Sequence, residues 1–100
     1  MSRPRVEFHP EALLDAEAAI DWYSQRSERA PAALVDELTQ AVETIVSAPG
    51  RWPLLDLDCR RLPLFRFPYF IIYREKSPDL IQIVAIAHAK RKPGYWRKRR

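Results

Sequence analysis

Residues 67–88 read FPYFIIYREKSPDLIQIVAIAH, and this stretch decides the fold. It contains two runs dense in aromatic and β-branched side chains, Phe67 to Arg74 and Leu80 to Ala87. The turn-forming sequence Lys76-Ser77-Pro78-Asp79 lies between them, which predicts an antiparallel hairpin. Because both runs are apolar at most positions, we expect the hairpin at the centre of a sheet whose helices pack on one face.

Two shorter segments extend this sheet. Arg5 to Phe8 alternates apolar and polar side chains and predicts a first strand. Cys59 to Leu64 predicts another, and Pro63 assigns it to a sheet edge or a strand end because proline cannot donate a ladder hydrogen bond.

Two helices are predicted between these strands. The first begins at about Pro10, since proline suits the first helical turn, and its apolar stripe is Leu13, Ala16, Ile20 and Tyr23, with Asp15 off that stripe. The second begins at about Pro31 and stops at Pro49-Gly50, and its stripe is Leu34, Leu38, Ala41, Val42 and Ile45. The order β, α, α, β, β, β predicts an α+β fold of two layers, a single domain over residues 1–100.

The charges are divided unevenly along the chain. Residues 1–59 carry five Lys/Arg and eleven Asp/Glu, a net charge of 5 − 11 = −6, whereas residues 60–100 carry twelve and two, a net charge of 12 − 2 = +10. The second part therefore predicts a positive surface that attracts phosphate backbones or an acidic protein segment. Because the sequence has no apolar run of about 20 residues and no hydrophobic stretch in MSRPRVEF, we expect a soluble cytoplasmic protein. The single cysteine, Cys59, excludes an internal disulfide, and we expect neither a metal nor a cofactor.

The residue types that suit chemistry on an anion lie in the basic part. Arginine forks hold phosphate oxygens, histidine transfers protons near neutral pH, and aromatic rings stack on bases. The candidates are Arg60, Arg61, Arg66, Arg74, His88, Lys90, Arg91, Tyr95 and Trp96. Structural roles compete with these: His88 suits a hydrogen bond at a strand end equally well, Trp96 suits packing against the sheet, and residues 97–100 suit a mobile basic end.

The sequence resembles the RelE/ParE toxin family, also called plasmid stabilisation proteins, over nearly its whole length. The specific segments are RRL at 60–62, FPYFIIYR at 67–74, IVAIAH at 83–88 and RKPGYW at 91–96, and the N-terminal VEFHPEA at 6–12 and DWY at 21–23 are similar as well. The resemblance implies a helical hairpin packed on a curved, mainly antiparallel sheet. It also implies that the protein is the toxin of a type II toxin–antitoxin system, assembles with its antitoxin into a hetero-oligomer and inhibits growth when free.

The family divides by activity. Members similar to RelE cut messenger RNA on the ribosome without a metal, and that endoribonuclease activity is the one the arginine, histidine and aromatic set favours here. The resemblance then implies Arg61 and Arg74 as phosphate-holding catalytic residues, His88 as the proton carrier and Tyr95 as a stacking or proton-transfer group. We expect Arg60, Arg66, Lys90 and Arg91 to bind RNA phosphates as well. The alternatives are a ParE-like poison of DNA gyrase without nuclease activity, and a degenerate toxin that only binds its antitoxin as a co-repressor.

Overall fold

The computed structural model describes residues 3–100; Met1 and Ser2, part of the domain predicted over residues 1–100, lie outside the described residues. Its elements in chain order are β1 (Arg5–Phe8), α1 (Pro10–Ser24), α2 (Ala30–Ser47), β2 (Leu54–Asp56), β3 (Cys59–Pro63), β4 (Tyr69–Ser77), β5 (Leu80–His88) and a 3-10 turn (Arg97–Arg99). The α+β prediction is confirmed, with one strand more than expected. The strand β2 escaped prediction because three residues are too few to show a period.

The sheet has the order β1-β5-β4-β3-β2, so the predicted hairpin of β4 and β5 occupies its centre. All neighbours are antiparallel except β1, which runs parallel to β5. The register sets Tyr69 opposite His88 at one end of the hairpin and Arg74 opposite Gln82 towards the other. This end-to-end separation governs which charged side chains can act together.

The helices cover one face of the sheet, where Ile71, Tyr73, Ile81 and Ile83 form the core with residues of α2. The stripe predicted for α2 is correct, since Leu34, Ala41 and Ile45 are buried. The prediction for α1 is wrong at Leu13, which was placed on the buried stripe, and at Asp15, which was placed off it. Leu13 is 49% exposed, while α1 buries Ala12 and Ala19 and turns Asp15 inward. Small side chains on that face let the helix approach the sheet closely.

The opposite face of the sheet is covered by the C-terminal segment instead of by helices. Trp96 is buried there against Cys59, Ile72 and Val84, and Tyr95 packs beside it. The sequence left open a mobile basic end at residues 97–100; in the structure Arg97–Arg99 form a 3-10 turn directly after the buried Trp96. Within residues 3–100, no helix is both long and apolar enough to cross a membrane.

Candidate functional site

A groove of about 130 Å³ opens on the face of the sheet opposite the helices, at its His88 end. Strand β3 supplies Arg61, the start of β4 supplies Phe70, and the end of β5 supplies His88. The returning chain closes the groove with Arg91 and Tyr95. Of the candidate residues, Arg61, Arg91, Tyr95 and Trp96 therefore line one cavity, and His88 borders it at the end of β5.

The His88 ring lies on the other side of the sheet from this groove, the side that the helices cover, and its orientation is fixed. Its Nδ1 accepts a hydrogen bond from the backbone N–H of Lys90 at 3.0 Å, and its ring meets the Tyr69 ring edge to face, with centroids 5.0 Å apart. Because Nδ1 is occupied as an acceptor, a neutral imidazole carries its proton on Nε2. Within residues 3–100, Nε2 makes no hydrogen bond, so this is the nitrogen available to a bound molecule.

Two guanidinium groups give the groove its positive charge. Arg61 lies over the ring of Phe70, with Cζ 4.5 Å from the centroid, and Arg91 lies over the ring of Tyr95 at 3.6 Å. Both residues are exposed, and across the described part of the chain neither forms an ion pair. Stacking on an aromatic face holds each guanidinium in place while leaving its N–H donors for an anion.

Arg74 does not join this group. It lies on the groove face of the sheet, whereas Tyr69, the residue opposite His88, faces the helices. Arg74 is five residues along β4 from Tyr69, which at about 3.3 Å per residue is roughly 16 Å. Its Nε donates to Gln82 Oε1 at 2.8 Å, its Nη1 donates to Asp58 Oδ2 at 3.2 Å, and its side chain is only 17% exposed. These partners engage Arg74 in holding β3, β4 and β5 together.

The remaining predicted contacts are dispersed. Arg60 points to the helical side of the sheet, where it donates to the Trp52 carbonyl at 2.6 Å. Arg66 lies in the loop between β3 and β4 and pairs with Glu37 at 3.5 Å. Lys90 is exposed in the turn after β5 and contributes its backbone N–H to His88.

Tyr95 is held from behind by a buried ion pair that the sequence did not reveal. Asp15 and Arg99 have side chains that are each 9% exposed, and Asp15 accepts hydrogen bonds from Arg99 Nη1 at 2.6 Å and from the Tyr95 hydroxyl at 3.4 Å. Burial, and then the neighbouring Asp15 carboxylate, raise the pKa of the Tyr95 hydroxyl. That hydroxyl therefore keeps its proton at neutral pH.

The same ion pair also completes the edge of β5. Strand β1 ends beside Ile83, so the residues that follow in β5 lack a neighbouring strand on that side. Asp15 accepts the N–H of Ile86 at 3.1 Å, and Arg99 donates to the carbonyl of Val84 at 3.3 Å. The signal in the sequence was the position of Asp15, three residues after Ala12 and four before Ala19 on the buried side of α1.

These features define a class of protein, a small α+β domain with a basic groove on its sheet. The protein-family model described as the ParE toxin of the type II toxin–antitoxin system parDE matches residues 6–93 of this chain. A solved structure described as a chromosomal ParDE toxin–antitoxin system from P. aeruginosa has the same fold, with a TM-score of 0.72 and 20% sequence identity over 88% of this chain and 98% of that chain. Comparison with curated protein sequences gives no significant match. The chain belongs to the ParE family of type II toxins, which confirms the resemblance and implies an antitoxin partner.

Proposed function

We propose that this toxin, when free of its antitoxin, poisons DNA gyrase through the surface around the groove. The observation that carries the proposal is the separation of the predicted nuclease residues, because Arg74 is engaged with Asp58 and Gln82 about 16 Å from His88. The match to the ParE family model supports the same choice of target.

The chemistry of the groove favours binding over cleavage. Cutting RNA through its own 2′-hydroxyl needs one group to take a proton and another to give one to the leaving oxygen. His88 Nε2 is one such group, but the ring lies with Tyr69 on the helical side of the sheet, away from Arg61. Tyr95 is a poor candidate for the second proton-transfer group, because burial and Asp15 raise the pKa of its hydroxyl, which also donates a hydrogen bond to the Asp15 carboxylate. The exposed guanidinium groups of Arg61 and Arg91 suit an acidic protein surface, which they attract without any proton transfer.

Two parallel assays with purified toxin test this choice of target. In the first, gyrase supercoils relaxed plasmid at increasing toxin concentration; in the second, a translation mixture is probed for cut messenger RNA. We expect loss of supercoiling, restoration by antitoxin and intact messenger RNA. Intact supercoiling together with ribosome-dependent RNA cleavage would contradict the proposal.

A matched pair of variants shows whether the groove is responsible. Arg61→Gln removes an exposed, unpaired cation from the groove, whereas Arg29→Gln removes an exposed cation from the start of α2. We expect Arg61→Gln to reduce gyrase inhibition by about tenfold or more, as for loss of a charge that a partner pairs with, and Arg29→Gln to leave it unchanged.

A second candidate function is messenger RNA cleavage, which one observation favours. His88 presents an unbonded Nε2 within the described residues and lines a second cavity together with Arg91, at the same end of the sheet as Arg61. This activity predicts that His88→Ala abolishes RNA cleavage while antitoxin binding persists. The translation assay above distinguishes it from gyrase poisoning.

A further inference from the structure

Phe65 is fully exposed, at 100% of its possible surface, in the loop of residues 64–68 between β3 and β4. No other large hydrophobic residue of residues 3–100 is exposed to this degree. A single exposed apolar side chain is ordinary on a protein surface, so the case for a partner rests on how the loop holds this ring.

The loop that carries this ring is held firmly. Glu37 of α2 is only 13% exposed, and its carboxylate accepts the backbone N–H groups of Phe65 and Arg66, the latter at 3.1 Å. Arg66 adds a guanidinium contact to the same carboxylate at 3.5 Å. At the base of the loop, the Leu64 N–H donates to the Tyr69 carbonyl at 2.9 Å. A nearly buried carboxylate thus orders a loop whose central side chain touches nothing, which is the arrangement of a preorganised binding anchor.

We propose that Phe65 is the anchor by which this toxin docks on its protein target, inserting into an apolar pocket with an acidic rim. This inference rests on the proposed function in taking gyrase as that target. A single protruding ring requires a concave receptor, and pockets of that shape belong to folded domains rather than to extended chain segments. A buried aromatic anchor is the kind of residue that dominates binding between folded proteins.

The charged residues near Phe65 indicate what charge its partner carries. Arg66, next in sequence, has a side chain that is 62% exposed but pairs with Glu37, so the charge offered to a partner is that of Arg61 and Arg91, which form no ion pair within residues 3–100. The loop also lies at the groove end of the sheet, because Ala89 donates its N–H to the Pro68 carbonyl at 2.8 Å and Tyr69 pairs with His88. The ring and the cations of the groove therefore border the same end of the molecule, and their common partner is apolar at one point and acidic around it.

The test is the substitution Phe65→Ala, which removes no internal contact and should leave the melting temperature unchanged. Binding to purified gyrase and to antitoxin is measured by biolayer interferometry, and growth inhibition is measured in cells. We expect gyrase affinity to fall by about 30-fold or more, as for a central interface anchor, with antitoxin affinity unchanged. Phe65→Leu should retain affinity within about fivefold because it still fills a pocket. The matched control Leu14→Ala, at another exposed apolar residue, should bind as the parent does.

The remaining outcomes separate this inference from the proposed function. If the parent toxin fails to bind gyrase but Phe65→Ala loses toxicity with antitoxin binding intact, gyrase is the wrong target and the anchor stands. If Phe65→Ala is as toxic as the parent, the anchor is refuted. Loss of antitoxin affinity, or loss of a concentration-dependent dimer of the parent, would also overturn it by assigning Phe65 to the antitoxin or to a second copy.

Discussion

Asp15→Asn tests the buried ion pair that fixes the C-terminal segment over the sheet. Burial opposes the charge on Arg99, but the hydrogen bond to Asp15 and the attraction of Asp15, Tyr95 and Glu11 together raise the pKa of the guanidinium. Asparagine can still accept the Ile86 N–H, but it leaves a cation that is 9% exposed without its counterion. Breaking a buried pair in this way costs about 3–5 kcal/mol. We expect about 3 kcal/mol for Asp15→Asn, since one hydrogen bond is retained, which is a large share of the roughly 5–15 kcal/mol that stabilises a small domain.

Urea unfolding followed by tryptophan fluorescence measures this loss. With a slope of about 1.5 kcal/mol per molar urea, the midpoint should fall by roughly 2 M. Glu11→Gln is the matched control, because Glu11 lies 3.8 Å from the same arginine but is exposed, and it should cost less than about 1 kcal/mol. The double variant Asp15→Asn/Arg99→Met should recover part of the loss, since it removes the buried cation that lacks a counterion while asparagine still accepts the Ile86 N–H. A cost below about 1 kcal/mol for Asp15→Asn would refute this account of how the segment is held.

Three further changes give distinct expectations. Arg74→Gln should destabilise the protein by about 1–3 kcal/mol by losing charged hydrogen bonds, without a separate loss of target affinity. Arg61→Gln should lower gyrase affinity and leave stability unchanged. Chemical denaturation measures the first effect and gyrase binding the second. Burial raises the pKa of Tyr73 to about 12 in the folded protein, whereas Tyr73 in the unfolded chain ionises near pH 10. The unfolded state is therefore favoured as pH rises from about 10 to 12, and roughly 2–3 kcal/mol of stability should be lost over that range. Tyr73→Phe should flatten that decline in alkaline denaturation curves. Gly94→Ala forces a side chain onto a residue with φ of +83° and should cost about 1–2 kcal/mol, measured as a lower melting temperature.

The sequence was informative where one interaction dominates. The central hairpin was predictable because two apolar β-branched runs flank a Pro-Asp turn, and α2 was predictable from its leucine and isoleucine stripe. The face of α1 was not, because hydrophobicity favours Leu13 over Ala12. In the structure α1 packs closely on the sheet, so the small Ala12 is buried and the larger Leu13 is exposed.

The site was predictable only in part. Arg61 and His88 lie towards the same end of the sheet, as the predicted hairpin implies, but the strand register turns their side chains to opposite faces. Nothing local to Arg74 indicated that Asp58 and Gln82 would engage it, since the strand register brings these residues together. The exposure of Phe65 was equally hidden, because it depends on Glu37, 28 residues away in the chain.

The central claim is that the basic groove end of the sheet grips a protein target. Its most direct test is a gyrase supercoiling assay titrated over one concentration series with the parent toxin, the groove variant Arg61→Gln/Arg91→Gln and Arg29→Gln. The account predicts that the parent and Arg29→Gln halt supercoiling alike while the groove variant requires at least about tenfold more protein. Equal potency of all three proteins, or no inhibition by the parent, would contradict it.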